Sequence, residues 1–103
     1  MNFRAYLQNH IVYLDGGTGT LLQKAGLGLG ELPERWNLTH GDVVTDIHTA
    51  YFNAGSNVVA TNTFGANPFK FDETELETIV RAAVENAKRA RMQSEGSQKK
   101  FVA

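Results

Sequence analysis

Three short apolar runs separated by helical patterns restrict this chain to a small set of folds. The runs cover residues 11–14, 57–62 and 101–103, and the first two are apolar through their middle without polar alternation. Strands with this pattern are buried on both faces, as in parallel sheets. Because helical sequence separates each run from the next, the chain predicts an α/β fold with right-handed crossovers between parallel strands.

Helical periodicity predicts three helices between these strands. The first covers residues 18–25, and the second covers about residues 42–54 with Gly55 as its stop. The third carries an apolar stripe over residues 76–87. Capping boxes are predicted at the starts of the last two helices, formed by Thr39 with Asp42 and by Thr74 with Glu77.

Residues 26–40 fit neither the helical nor the strand period. They contain three glycines, one proline and the single tryptophan of the chain. We predict a long ordered loop here, with Trp36 as its packing anchor.

The spacing of the strands predicts a domain larger than this chain. Successive strands are roughly 40 to 45 residues apart, so eight such units would need roughly 320 to 360 residues, whereas the chain has 103. Two strands and the start of a third, each apolar on both faces, cannot cover themselves. We therefore interpret residues 1–103 as an incomplete, N-terminal part of a larger α/β domain that is marginally stable or self-associating when alone.

Composition removes several classes of function. The chain has no cysteine, which excludes disulfides, iron–sulfur clusters, a thiol nucleophile and thiolate-bound zinc within these residues. Ten Lys and Arg against 11 Asp and Glu leave no basic excess for nucleic acid or an acidic membrane surface. No segment has the length of a membrane span or the pattern of a secretion signal. We expect a cytoplasmic protein that binds a small molecule.

Glycines and polar residues follow the first two predicted strands. Asp15, Gly16 and Gly17 follow the first strand, and Thr61 and Asn62 end the second. The carboxyl ends of parallel strands are where α/β proteins bind ligands. Glycines let backbone N–H groups approach an anion, and a carboxylate suits a cation or an amino group. The simpler alternatives are a tight turn in which the aspartate accepts backbone N–H bonds, and turn capping by the threonine and asparagine.

The histidines do not predict a metal site. His40 and His48 are eight residues apart and have no third ligand at a suitable spacing. We expect His48 to make a structural hydrogen bond at the edge of the buried stripe, and His10 to lie on the surface.

Three separated motifs resemble the start of the homocysteine S-methyltransferase family. They lie within residues 14–20, 47–57 and 61–67, and the similarity is in register over about residues 11–92. The most similar branch is the N-terminal homocysteine-binding domain of cobalamin-dependent methionine synthases. Three motifs in the right order are more specific than the glycine loop alone.

The resemblance implies a fold and a reaction. Family members are (β/α)₈ TIM barrels, of which this chain would supply two βα units and the start of the third strand. They transfer a methyl group to a zinc-bound homocysteine thiolate to give methionine, and zinc lowers the pKa of the thiol. The family's zinc ligands are three cysteines late in the barrel, and this chain has none. We therefore expect no catalytic residue and no metal ligand in this segment, and no activity from it alone.

The resemblance also implies roles for individual residues. Asp15 matches the family aspartate that holds the amino-acid end of homocysteine, with Gly16 and Gly17 as close backbone, and Thr61 matches a threonine that lines the substrate pocket. Gly65 stands where betaine-using relatives carry an aromatic residue, which favours the methionine-synthase branch and cobalamin as methyl carrier. The expected partners are homocysteine, the rest of the barrel, and folate and cobalamin domains. These residues leave the donor open between methylcobalamin, a folate and S-methylmethionine.

Two other functions stay open from the residues themselves. The first is a nucleotide-binding module that uses the loop of residues 15–20 as a phosphate cradle, as sugar-kinase and actin-like ATPases do. Those folds continue into an antiparallel strand, whereas residues 21–25 have helical spacing, and the loop lacks the ending of a P-loop. The second is a non-catalytic fragment that associates through its uncovered strands.

Overall fold

A computed structural model describes residues 3–103 of the chain, which form five α-helices, one 3₁₀ turn and two strands. The helices are α1 (Phe3–Asn9), α2 (Gly19–Lys24), α3 (Trp36–Thr39), α4 (Gly41–Asn53) and α5 (Glu73–Gln93), with the 3₁₀ turn at Pro33–Arg35 and the strands β1 (Val58–Val59) and β2 (Phe101–Val102).

Three segments of the chain lie side by side and run parallel. β1 pairs with β2 in the register Val58 to Phe101 and Val59 to Val102. On the other side of β1, Leu14 forms a single parallel bridge to Val58. The predicted parallel orientation of the strands, and the start of the third, are therefore confirmed.

The strand predicted over residues 11–14 is reduced to the one bridge at Leu14. A strand needs a partner along its length, and the described residues provide one only beside Asn57 and Val58, whose backbone N–H groups both donate to the carbonyl of Tyr13. Ile11 and Leu14 are 77% and 69% exposed, so this apolar run is not covered on either face as a buried strand would be. The second strand, predicted over residues 57–62, is likewise shorter and covers Val58–Val59. Backbone hydrogen bonds to the third segment extend beyond it on both sides, from Phe101 N–H to the carbonyl of Asn57 and from Thr61 N–H to the carbonyl of Ala103.

The three predicted helices are present, but their starts differ from the prediction. Gly55, with a φ of +110°, ends α4 as expected. The capping box at Thr39 is wrong, because the Thr39 hydroxyl donates to the carbonyl of Arg35 instead. The box at Thr74 is also wrong, because α5 begins two residues earlier and the Asp72 carboxylate accepts from the backbone N–H of Glu75 at 2.8 Å.

Residues 26–40 are more regular than the predicted loop. They contain the 3₁₀ turn and α3, which is too short for periodicity to reveal. Trp36 is a packing anchor, as predicted, and is 4% exposed. Its indole N–H donates to the carboxylate of Glu31, and its ring stacks on His40 at 3.9 Å between centroids.

The core consists of two clusters on either side of α4. One joins α2, α3 and α4 below the first glycine loop, and it contains Leu22, Trp36, Val44 and Ile47. The other joins α4 and α5 to the sheet, and it contains Phe52, Val59, Ala87 and Ala90. The two clusters fix α2 and β1 relative to one another, and the loops that follow the first two parallel segments are thereby held side by side.

None of the helices within residues 3–103 is long and apolar enough to cross a membrane.

Candidate functional site

The loop after the first parallel segment is joined to the end of β1 through Asp15. The backbone N–H of Asp15 donates to the carbonyl of Val58 at 2.9 Å, which continues the sheet by one residue. The Asp15 carboxylate accepts from the backbone N–H of Ala60 at 3.0 Å through Oδ2. The carboxylate therefore bridges the carboxyl ends of two neighbouring segments. It accepts a backbone N–H bond, as the simpler alternative for Asp15 predicted.

A cleft of about 370 Å³ opens between these two ends. Four of the five predicted site residues line it: Asp15, Gly16, Thr61 and Asn62. The remaining wall comes from α2, the 3₁₀ turn and the loop after β1, and includes Thr18, Gly19, Leu22, Pro33, Glu34, Ala60 and Phe64.

Gly16 is required by close approach. A Cβ at this position would lie 2.9 Å from the hydroxyl oxygen of Tyr51 and 3.3 Å from its Cε1. The same hydroxyl donates to the carbonyl of Gly17 at 2.7 Å, so Tyr51 on α4 supports the loop from below. Gly17 itself has open space where a Cβ would be. It is not among the residues that line the cleft, although it lies in the same loop.

Thr61 and Asn62 use their side chains differently. The hydroxyl of Thr61 lies 2.9 Å from the hydroxyl of Thr63, and Thr61 remains partly exposed in the cleft wall. Asn62 is buried, and its amide donates to the carbonyl of Pro33 at 2.8 Å. The Asn62 amide therefore ties the strand end to the 3₁₀ turn, whereas the Thr61 hydroxyl has one local partner, the hydroxyl of Thr63.

Glu34 is a residue of the cleft that the sequence did not predict. It is 4% exposed, and its Oε2 accepts from the backbone N–H of Gly65 at 3.2 Å. Its Oε1 is buried and has no hydrogen-bond partner. A carboxylate in a stretch without periodicity carries no signal of burial, because charged residues are almost never buried unless paired.

His48 lies in α4 beneath the site and is fully buried. Neither ring nitrogen has a hydrogen-bond partner, so the predicted structural hydrogen bond of His48 is wrong. Burial lowers the pKa of the imidazole, and the negative charge of Asp15 opposes this shift. The ring is therefore neutral at pH 7 and is buried without the expected bond.

The described residues do not suit a metal ion. No group of three His, Cys, Asp or Glu side chains within residues 3–103 is arranged to hold one. The ring of His40 is stacked on Trp36, and its Nδ1 lies 2.8 Å from the hydroxyl of Thr39. The exposed position of His10 also agrees with the prediction.

Comparisons with known proteins identify the family of this chain. Residues 12–103 match the family model described as homocysteine S-methyltransferase. Methionine synthases of Mycobacterium tuberculosis and Mycobacterium leprae are each 37% identical over 81 residues, which is 73% of this chain and 7% of theirs. The chain thus spans a small part of the length of these curated relatives.

Solved structures show the same fold. The oxidized form of the homocysteine methyltransferase MmuM from Escherichia coli superimposes with a TM-score of 0.82 at 24% identity, over 97% of this chain and 38% of that one. Its metallated form gives a TM-score of 0.81 at 23% identity. The chain therefore has the fold of the matching part of that enzyme.

Proposed function

Since the chain belongs to the homocysteine S-methyltransferase family, we propose that residues 1–103 are the part of such an enzyme that receives the amino-acid end of homocysteine. In this proposal the chain is an N-terminal, incomplete part of a homocysteine-binding (β/α)₈ barrel. The three parallel segments in the order Leu14, Val58, Phe101 support it, because consecutive strands of such a barrel are neighbours.

The observation that carries the proposal is the cleft between Asp15 and Thr61. Two chain segments 45 residues apart meet there through the bond from Ala60 N–H to Asp15 Oδ2. The other carboxylate oxygen of Asp15 has acceptor capacity for an ammonium group, since a carboxylate accepts about four hydrogen bonds. Gly16 places backbone without a side chain in the cleft wall beside it, and Gly17 continues the same loop. The Thr61 hydroxyl adds a neutral donor or acceptor for a polar substrate.

Zinc belongs to the proposal only through residues outside this chain. Zinc supplies a lowered pKa for the homocysteine thiol when it is bound. The residues present do not fit it, because cysteine is absent from the chain and no suitable group of three ligands exists within residues 3–103. We therefore assign binding of the amino-acid end to this chain, and expect no methyl transfer to homocysteine by the 103-residue chain alone. Methionine formed by the purified chain would overturn that expectation.

The proposed branch is that of the methionine synthases, with cobalamin as methyl carrier. Its support is the 37% identity to two methionine synthases and the glycine at position 65. The structure adds that a Cβ at Gly65 would lie 3.1 Å and 3.2 Å from the two carboxylate oxygens of Glu34. An aromatic side chain at this position would therefore displace Glu34.

The alternative of a phosphate cradle has less support. The loop of residues 15–18 leads into α2, and not into an antiparallel strand. The Asp15 carboxylate also lines the cleft, where it would repel a phosphate.

Association through uncovered strands is compatible with binding and is tested separately. The exposed residues Ile11, Tyr13 and Leu14 leave both faces of the first segment uncovered. If association were the function of this face, sizing would show oligomers of defined size at micromolar concentration, and Leu14→Lys would abolish them.

The experiment for the binding proposal compares Asp15→Asn with Asp46→Asn. Asparagine keeps the oxygen that accepts from Ala60 but removes the charge, and Asp46 is an exposed carboxylate on α4 that serves as a control. We expect Asp15→Asn to weaken L-homocysteine binding by about 10-fold, the lower value for a hydrogen bond to a charged group. Asp46→Asn should leave it unchanged. Equal affinities of all three proteins would refute the role of Asp15.

A further inference from the structure

Glu34 combines deep burial with an unused hydrogen-bonding atom. It is 4% exposed and lines the same cleft as Asp15 and Thr61. Only Oε2 has a partner, the backbone N–H of Gly65, and this bond is long at 3.2 Å. Burial of a carboxylate is costly unless it is paired. The unpartnered Oε1 therefore marks a place where a donor is missing from these residues.

The segment that carries Glu34 is held rigidly. The buried amide of Asn37 donates both to the carbonyl of Glu34 and to the carbonyl of Asn62, at 2.9 Å and 2.8 Å. Asn86 on α5 donates in turn to the carbonyl of Asn37 at 3.1 Å. The next residue, Arg35, pairs with Glu75 at 2.7 Å. The backbone of Glu34 is thus fixed to the strand end that forms the cleft.

Gly65 lies directly against the carboxylate. Its Cβ position is 3.1 Å from Oε1 of Glu34 and 3.2 Å from Nζ of Lys70. No ion pair joins Lys70 to Glu34 within the part of the chain that the structure describes. The neighbouring Phe64 is fully exposed, so a shift of this turn toward solvent loses no buried apolar surface.

We infer that Glu34 is a second anionic residue of the cleft and accepts the ammonium group of an α-amino acid through Oε1. The inference rests on the proposed function and adds a residue to it. A primary ammonium has three donors, so it can bond Glu34 Oε1 and the Asp15 carboxylate from the two walls of one cleft. The specificity that follows is for the zwitterionic amino acid over the corresponding acid without the amino group.

The test uses a matched pair of ligands without a thiol. L-Methionine and 4-(methylthio)butanoate differ only in the ammonium group, and their binding to the 103-residue chain is measured by shifts of backbone amides at residues 15–18 and 60–65. We expect methionine to bind about 10-fold or more tightly than its analogue. Glu34→Gln should reduce this preference, leaving the part that Asp15 supplies, and should leave binding of the analogue unchanged. Glu73→Gln, an exposed carboxylate at the start of α5, is the matched control.

Two further measurements separate recognition from a structural role. Glu34→Gln keeps the oxygen that accepts from Gly65, and it removes an unpaired buried charge. We expect the midpoint of thermal unfolding without ligand to stay the same or rise. Gly65→Ala keeps the charge but crowds the carboxylate, so it should reduce the preference for methionine even if Glu34→Gln fails to fold.

Each outcome has one meaning. Retention of the full preference in both variants overturns the inference and leaves the amino-acid site standing. A lower unfolding midpoint in Glu34→Gln, reproduced by Lys70→Met, identifies a structural ion pair and also overturns it. If neither ligand shifts the cleft amides, the proposed function fails. The role of Glu34 is then tested with n-propylammonium as the ligand. A shift of the ¹³C signal of the Glu34 carboxyl group supports the inference, and no shift overturns it.

Discussion

Alanine at position 16 should destabilise the chain through a single contact. The new Cβ would lie 2.9 Å from the hydroxyl oxygen of Tyr51, whereas ordinary contact begins at 3.4 Å. Tyr51 must move, and it then loses the 2.7 Å bond to the carbonyl of Gly17. A neutral hydrogen bond contributes about 0.5 to 1.5 kcal/mol. With the crowding of the ring, we expect Gly16→Ala to lower the free energy of unfolding by about 1 to 2 kcal/mol.

A double-mutant cycle isolates this contact. In Tyr51→Phe the hydroxyl is absent, and the nearest ring atoms lie 3.3 Å and 3.4 Å from the Cβ position. In the Tyr51→Phe background, Gly16→Ala should lower the free energy of unfolding by less than about 0.5 kcal/mol. The coupling energy between positions 16 and 51 is then about 1 kcal/mol. Gly17→Ala is the control, because its Cβ meets nothing within 4 Å and its φ is not positive.

The assay is urea unfolding followed by the fluorescence of Trp36, the single tryptophan. Trp36 packs in the same cluster as Leu22 of α2, the helix that the loop leads into, so its emission reports on this part of the fold. If Gly16→Ala costs the same with tyrosine and with phenylalanine at position 51, the hydroxyl contact is not the cause and the reasoning is refuted.

Two further pairs of substitutions test the burial of His48 and the start of α5. Because burial lowers the pKa of His48 in the folded chain, the unfolded chain binds more protons below the ordinary histidine pKa of about 6.5. The free energy of unfolding should therefore fall as the pH drops from about 6.5 toward 5. Urea unfolding at each pH should show a weaker pH dependence for His48→Leu, whereas His10→Gln should keep the pH dependence of the unmodified chain. Asp72→Ala should lower the free energy of unfolding by about 1 kcal/mol, because the bond from the backbone N–H of Glu75 is lost. Thr74→Ala should change the free energy of unfolding by no more than about 0.5 kcal/mol. If Thr74→Ala were the more destabilising of the two, the predicted capping box at Thr74 would be correct after all.

The helices were predictable because their signals are local. The apolar stripes of α4 and α5 and the stop at Gly55 depend on residues within a few turns of each other. The start of α5 was not predictable from the sequence, because Asp72 and Thr74 each have a glutamate three residues later and both fit the same motif. Phe71 is 2% exposed, and burial of this residue just before Asp72 fixes which of the two caps the helix.

The strand predicted over residues 11–14 depends on non-local contacts, unlike the helices. Its apolar pattern predicts a buried strand, but burial requires neighbours on both sides and both faces. The described residues provide one neighbour, at Val58, and leave Ile11 and Leu14 exposed. A periodic pattern thus indicates an environment that these residues cannot create by themselves.

The residues of the candidate site were also predictable only in part. Asp15 and Thr61 were predictable because parallel neighbouring strands bring their carboxyl ends together. Glu34 was not, because its place in the cleft depends on amides of Asn37, Asn62 and Asn86, which lie up to 52 residues away along the chain.

The most direct test of the account is a titration of the ¹⁵N-labelled chain with L-homocysteine, with and without zinc. The account predicts weak binding, with a Kd of about 1 mM or above, amide shifts confined to residues 15–18 and 60–65, and no effect of zinc. Shifts elsewhere, or binding that zinc strengthens, would contradict it, because either result requires a ligand set other than the cleft between Asp15 and Thr61.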